Sequence, residues 1–184
     1  GDDNVGIGYK ALRALTTGAN NIAIGQMALT SEDTGSRNVA IGEQALRNQD
    51  YAGNAYNVAV GFYAGTSVTT GIQNTIVGGL AGDALTTSSN NVAIGYRALS
   101  TEDEGDRCVA IGYDSLKTQN TDGNVYNVAI GFQSGMSVTT GTNNTLIGGL
   151  AGDALTTGSS NVAVGYLALS TDDAGGRSVA IGQG

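Results

Sequence analysis

Glycine recurs at a nearly fixed interval along the whole chain, each time closing a motif related to Val-Ala-Ile-Gly. Each step is seventeen positions long, as from Gly25 to Gly42, except for nineteen from Gly42 to Gly61 and from Gly112 to Gly131. The closing glycines are Gly8, Gly25, Gly42, Gly61, Gly78, Gly95, Gly112, Gly131, Gly148, Gly165 and Gly182. A short period of this kind is typical of stacked repeat architectures, in which each unit contacts its neighbours in the stack.

A longer period of seventy positions contains the short one, so that Gly25 recurs as Gly95 and again as Gly165. Residues 25–94 and 95–164 align without a gap and are identical at 43 of 70 positions. Within each unit, the Val-Ala-Ile motif alternates as a strand does, and the glycine that follows permits a sharp corner. The sequence therefore predicts an all-β fold: a parallel β-solenoid of about ten coils of 17 or 19 residues, forming a single domain over 1–184.

Asparagine precedes most of the strand motifs and predicts a structural ladder. Stacked coils would place these side chains in one column, where their amides can bond from coil to coil. The column comprises Asn4, Asn21, Asn38, Asn57, Asn74, Asn91, Asn127, Asn144 and Asn161. Cys108 and Ser178 occupy its two remaining places. We interpret Cys108, the only cysteine, as a small buried member of this column, because a reactive or metal-binding thiol would need partners that the chain does not supply.

Composition argues against several classes of partner. The chain has 8 basic and 16 acidic residues, a formal net charge of -8 and no histidine. Nucleic-acid binding depends on Lys and Arg neutralising phosphates, so the sequence predicts no nucleic-acid partner, and adsorption to an anionic membrane is equally disfavoured. No apolar run approaches the roughly 20 residues of a membrane span, which predicts no membrane insertion in this segment. Because the chain opens on Gly1, we expect a fragment of a longer fibre.

The middle residue of each strand suggests a surface for self-association. If Val and Ile point into the coil, the residue between them points out, and that position is apolar in nearly every coil. The column comprises Ala23, Ala40, Ala59, Ile76, Ala93, Ala110, Ala129, Leu146, Ala163 and Ala180. An unbroken apolar column predicts that another chain packs over it. The alternative is a wider coil whose own loops cover both faces of the strand.

Acidic loops recur at the longer interval and give weak calcium candidates: Glu102, Asp103, Glu104 and Asp106. Calcium favours several carboxylate and carbonyl oxygens in a flexible loop. However, an arginine follows each loop, at Arg37, Arg107 and Arg177. The favoured interpretation is a solvated loop with an internal ion pair, and we expect no bound metal or other cofactor.

Aromatic residues follow several of the corner glycines, at Tyr9, Phe62, Tyr96, Tyr113, Phe132 and Tyr166. Exposed aromatic rings can stack on sugars, whereas rings in a solenoid also shield the corners and stack on one another. We favour packing and keep glycan binding as the alternative.

Threonine pairs such as Thr69-Thr70 and Thr86-Thr87 raise a distant alternative, an ice-binding face. Three coils carry Glu-Asp or Asp-Asp at the corresponding places and interrupt any regular array. The acidic clusters are copies of one another and no histidine can serve as a general base, so we expect no enzyme and no catalytic residues.

Tandem units such as "NNIAIGQMALTSEDTGSRNVAIGEQAL" (Asn20 to Leu46) resemble the "TAIGYQAL"-type repeats of bacteriophage tail fibres and the head repeats of trimeric autotransporter adhesins. The resemblance covers the whole chain, although the coils of adhesin heads are shorter. It implies a left-handed parallel β-roll, assembled as a homotrimer. It further implies an extracellular place, on a virion fibre or a bacterial cell surface, and a structural shaft or adhesion segment that positions a host-recognition tip.

Overall fold

The computed structural model describes all residues, 1–184, and contains thirteen short strands and no helix. The strands are β1 (Val5–Ile7), β2 (Ile22–Ile24), β3 (Val39–Ile41), β4 (Val58–Val60), β5 (Thr75–Val77), β6 (Val92–Ile94), β7 (Gly105–Asp106), β8 (Val109–Ile111), β9 (Gly123–Asn124), β10 (Val128–Ile130), β11 (Thr145–Ile147), β12 (Val162–Val164) and β13 (Val179–Ile181). Each predicted motif contributes one three-residue strand. The structure thus confirms the predicted parallel β-solenoid of about ten coils.

Eleven of the strands form one continuous parallel sheet. They pair in chain order with the same register throughout, so that Ala93, for example, lies between Ile76 and Ala110. The two remaining strands, β7 and β9, pair with each other beside a 19-residue coil. A bridge between Ser36 and Asn54 marks the other 19-residue coil. At roughly 4.8 Å between strands, the ten intervals of the main sheet make a rod about 48 Å long.

Turns as well as strands supply bonds between coils. Of 108 backbone hydrogen bonds, only 21 join two strand residues. Met27 donates to the carbonyl of Tyr9 in the preceding coil, and Leu29 donates to that of Ala45 in the following coil. Both residues have positive φ, of 57° and 48°. A non-glycine residue held in this region costs roughly 1–3 kcal/mol, and the bonds to both neighbouring coils stabilise it there.

The corner glycines form a column of close backbone contacts. Gly25 has φ of +134°, and a Cβ placed on it would lie 2.4 Å from the carbonyl oxygen of Gly42. The same contact recurs from one coil to the next along the stack. Only glycine fits this combination of φ and close approach, which explains the fixed interval.

The core lies inside the coil between the strands and the turns. It consists mainly of the middle residue of each strand and the alanine and leucine that follow each corner. The expectation that Val and Ile point inward is therefore wrong. The interior of the coil is too narrow to hold both the Val and the Ile side chain of each strand. The small residue at the strand centre therefore faces the turn leucine, and the Val and Ile side chains point out.

Candidate functional site

The alanine column lies inside the single chain. Ala23, Ala40, Ala59, Ile76, Ala93, Ala110, Ala129, Leu146 and Ala163 are all fully buried without any partner, and Ala180 is partly buried at the last coil. The prediction of self-association through this column is wrong, because intrachain turns already cover it. The alternative considered from the sequence, covering by the chain's own loops, describes these residues better.

Ile76 and Leu146 are the two large members of the column, and glycines make room for them. Gly65 and Gly82 stand where other coils have the turn leucine, and a Cβ on Gly65 would lie 2.8 Å from Cδ1 of Ile76. Gly135 makes the same contact with Leu146 in the second super-repeat. These compensating changes in volume show that the column packs against the turns of its own chain.

The opposite side of the strands forms a long surface that we call the outer stripe, defined as the first and third residues of the eleven paired strands. It comprises Val5, Ile7, Ile22, Ile24, Val39, Ile41, Val58, Val60, Thr75, Val77, Val92, Ile94, Val109, Ile111, Val128, Ile130, Thr145, Ile147, Val162, Val164, Val179 and Ile181. Most of these side chains are half-buried by one another. None is charged.

The asparagine column forms a ladder of backbone contacts. Asn91 is fully buried, and its Oδ1 accepts from the backbone N–H of Cys108 at 2.8 Å. Its Nδ2 donates to the carbonyl of Gly105 at 2.8 Å. The same pair of contacts recurs at Asn21, Asn74, Asn144 and other rungs. Each asparagine therefore ties its own coil to the next, mostly through backbone groups rather than through amide-to-amide bonds.

Cys108 substitutes for asparagine in this ladder, and a buried polar cluster surrounds it. Gln119 Nε2 donates to Cys108 Sγ at 3.1 Å and to Glu102 Oε2 at 2.9 Å. Gln119 Oε1 accepts from Asn127 Nδ2 at 2.7 Å. Burial raises the pKa of the Cys108 thiol to about 11, with contacts from Gln119 and Asn127 lowering it and the nearby Glu102 and Asp106 carboxylates raising it. Sequence analysis did not predict this cluster. The signal that could have found it is a pair that recurs at the 70-residue interval, Glu32 with Gln49 and then Glu102 with Gln119.

The thiol of Cys108 is expected to be inert in the folded protein. Burial and a pKa of about 11 leave little thiolate at pH 8, so modification by a disulfide reagent should be about 100-fold slower than in denaturant. An exposed cysteine introduced by Thr87→Cys, in a Cys108→Ser background, provides the control for reagent access. Equal rates for the folded and unfolded chains would show that Cys108 is accessible.

The acidic loops do not assemble the weak calcium candidates into an open oxygen cage. Glu102 is fully buried, and its Oε1 accepts from the backbone N–H of Gly105 at 2.7 Å. Asp106 accepts from the N–H of Ser89 at 2.6 Å, and Glu104 is exposed. The expected internal ion pair is also absent, because Arg107 lies over the ring of Tyr126 and the only salt bridge joins Arg97 to Asp114. These carboxylates organise the loop backbone.

A different acidic cluster occurs in the first super-repeat only. Carboxylate oxygens of Glu32, Asp33 and Asp50 lie within 4.8 Å of one another, with Glu32 buried and the two aspartates exposed. Asn120 replaces Asp50 in the second super-repeat. Burial, followed by repulsion from Asp50 and Asp33, raises the pKa of Glu32, against the lowering effect of N–H groups of Gly35 and Tyr51. Clustered carboxylates alone do not identify a metal site.

The raised pKa of Glu32 predicts a pH-dependent loss of stability. The folded state binds the carboxyl proton of Glu32 more tightly than the unfolded state does. The stabilisation that this proton provides is fully present below about pH 4.5 and is lost as the pH rises through the folded pKa. Glu32→Gln keeps an oxygen for the Gly35 N–H and should therefore gain stability over the unmodified chain between pH 4 and pH 7. Chemical denaturation at both pH values measures this. Glu43→Gln, at an exposed site, should show a smaller change, and equal changes for both variants would contradict the prediction.

The aromatic column is exposed and partly stacked. Its six members are 42 to 65% exposed. Tyr96, Tyr113 and Phe132 form a continuous stack, with ring centroids 5.6 and 5.4 Å apart. The guanidinium of Arg97 lies 5.1 Å from the centroid of the Tyr96 ring and pairs with Asp114. Packing therefore buries part of the surface of each ring, and the remaining exposed surface forms an aromatic ridge along one corner of the rod.

The threonine pairs use their hydroxyl groups within the chain. Thr16, Thr69, Thr86, Thr139 and Thr156, the first of each pair, all donate to a backbone carbonyl of the following coil. The second threonines, Thr17, Thr70, Thr87, Thr140 and Thr157, are exposed. Because half of these hydroxyls have structural partners, the pairs do not present a full array of hydroxyls to solvent.

A scan against known protein families, a search of curated proteins and a search of solved structures each find no match to this chain. No helix of sufficient length and apolar character to cross a membrane is present. The surface contains no pocket.

Proposed function

We propose that this chain is a shaft segment of an extracellular fibre, on a virion or a bacterial surface, that positions a host-recognition tip. The single observation that carries this proposal is the uninterrupted parallel sheet from β1 to β13, which makes the chain a rod of equivalent coils. Hydrogen bonds between adjacent coils recur along its length, and no pocket interrupts it. A rod of this kind holds its two ends at a fixed distance and resists local unfolding, and a shaft requires both properties.

The proposed assembly is a parallel homotrimer. Copies aligned along one axis would stiffen a narrow rod and shield its apolar outer stripe from water. The resemblance to tail-fibre and adhesin repeats supports three as the number of chains.

Duplication of residues 95–164 tests the shaft proposal directly. A modular shaft should accept this four-coil insertion, lengthen by about 19 Å and unfold at a higher temperature, because each coil adds an interface with its neighbour. Small-angle scattering and thermal unfolding measure both effects. An insertion that leaves the length unchanged or disrupts the fold would contradict a modular shaft.

A second candidate function, direct binding of host-cell glycans or receptors, is supported by the exposed aromatic ridge. Aromatic ring faces and edges contact sugars, and weak sites repeated along a fibre gain strength through avidity. The shaft proposal predicts no specific signal from the isolated chain on a glycan array or on whole cells. Specific binding that is lost in a Tyr96→Ala, Tyr113→Ala, Tyr166→Ala variant with an unchanged circular dichroism spectrum would favour this second function instead.

A further inference from the structure

The outer stripe has a composition unlike that of an ordinary solvated strand face. All of its residues are Val or Ile except Thr75 and Thr145, which are also β-branched. Branching at Cβ restricts χ1, so the surface is stiff as well as apolar. A sheet face that is exposed to water normally carries polar residues. A contiguous apolar surface of this length marks an interaction site.

We propose that the outer stripe is the surface through which parallel copies of this chain contact one another in register. This inference rests on the proposed fibre function and names the contact within it. A stripe about 48 Å long and about 10 Å wide covers roughly 500 Å² per copy, or about 1,000 Å² for two copies, which reaches the size of a specific interface. With no charge on either face, two stripes can approach without burying an unpaired ion.

Thr75 and Thr145 set the register of this contact. They occupy equivalent places in the two super-repeats, on the fifth and ninth of the eleven paired strands. Whereas the hydroxyls of Thr69 and Thr139 bond to carbonyls of the next coil, those of Thr75 and Thr145 have no partner within the chain. A polar group within an apolar contact surface favours the alignment that gives it a polar partner.

Parallel copies in register bring the threonine levels together and use the whole stripe. Each threonine level then meets the same level of the next copy, so the hydroxyl groups of both copies lie on one shared level and are bridged there by water. In a fully overlapped antiparallel pair, Thr75 would instead meet the level of Val109, and Thr145 that of Val39. An antiparallel pair shifted to match the threonines would leave two strands of each copy without contact. Parallel alignment therefore combines the largest contact with hydroxyl groups that are gathered on two shared levels.

Paired cysteines on one strand test both the surface and the alignment. Val39→Cys and Ile41→Cys are introduced together in a Cys108→Ser background, serine being the residue that the column already has at Ser178. Facing stripes bring the thiol at position 39 of one copy close to the thiol at position 41 of the next when the copies are parallel and in register. Within one chain the two side chains point outward in parallel, so their Cβ atoms lie about 6.6 Å apart, beyond the roughly 3.5–4.5 Å that a disulfide requires. Thr87→Cys in the same background is the control for random collision.

The expected result is covalent oligomers from the doubly substituted β3 variant after mild oxidation, and few from the Thr87→Cys variant. Adding Thr75→Val and Thr145→Val should preserve association by light scattering while lowering the disulfide yield several-fold, because the register is lost. An unchanged yield would overturn the role of the threonines. A monomeric protein, or oligomers linked through Thr87→Cys instead, would overturn the stripe as the contact, whereas the shaft proposal is judged separately by duplication of residues 95–164.

Discussion

Lysine at Ala110 is expected to unfold the chain, whereas lysine at the adjacent Ile111 is expected to leave the fold intact. Ala110 is fully buried against the turns of its own chain, and Ile111 belongs to the outer stripe. Burying an ammonium group without a partner costs several kcal/mol, a large part of the roughly 5–15 kcal/mol that stabilises a typical domain. A substitution on the outer face of a single rod should change the free energy of unfolding by only about 0.5 kcal/mol.

Circular dichroism and thermal unfolding of the two variants measure this difference. The two positions are neighbours on one strand and receive the same side chain, so each variant is the control for the other. If Ala110→Lys folded normally and only dissociated an assembly, the column would face outward and the assignment of the two strand faces would be reversed.

Loss of one asparagine from the ladder is expected to have the second large effect. Asn91→Leu keeps much of the side-chain volume but leaves the N–H of Cys108 and the carbonyl of Gly105 without their partners. A buried polar group left without a bond costs about 1–3 kcal/mol, so the free energy of unfolding should fall by roughly 2–6 kcal/mol. Chemical denaturation measures the loss.

Asn120→Leu is the matched control, because Asn120 is exposed and its side chain is outside the ladder. We expect the stability of this variant to change by less than about 1 kcal/mol. Similar losses from Asn91→Leu and Asn120→Leu would show that the ladder contributes no particular stability.

The architecture of the rod could be predicted from the sequence because a single residue type, the corner glycine, recurs once in every coil. Each corner requires a glycine at positive φ beside the backbone of the next coil, so the spacing of Gly25, Gly42 and their counterparts reports the coil length directly. The asparagine column was predictable for the same reason, since stacking brings each asparagine into contact with its counterpart one coil away.

The direction of the strand faces could not be predicted from alternation alone. Val-Ala-Ile indicates two faces, but both are apolar, so hydrophobicity does not say which one is inside. The deciding signal was a compensation between distant positions: Ile76 is large where Gly65 and Gly82 replace the turn leucine. Reading the volume of the strand centre together with that of the turn would have placed the alanine column inside.

The buried cluster around Cys108 was also beyond sequence reasoning. Glu102 and Gln119 look like ordinary loop residues, and their polar character does not indicate that stacking brings both side chains together inside the coil. The composition of the loop suggested solvated charges, whereas the side chain of Glu102 is fully buried and accepts bonds from the loop backbone.

Sedimentation equilibrium of the unmodified chain and of Ile111→Lys tests the central claim that copies of a self-contained rod contact one another through the outer stripe. We predict an assembly of several chains, with three as the proposed number, for the unmodified protein. The variant should sediment as a single chain with an unchanged circular dichroism spectrum. A single-chain mass for the unmodified protein, or an assembly that Ile111→Lys does not weaken, would contradict this account.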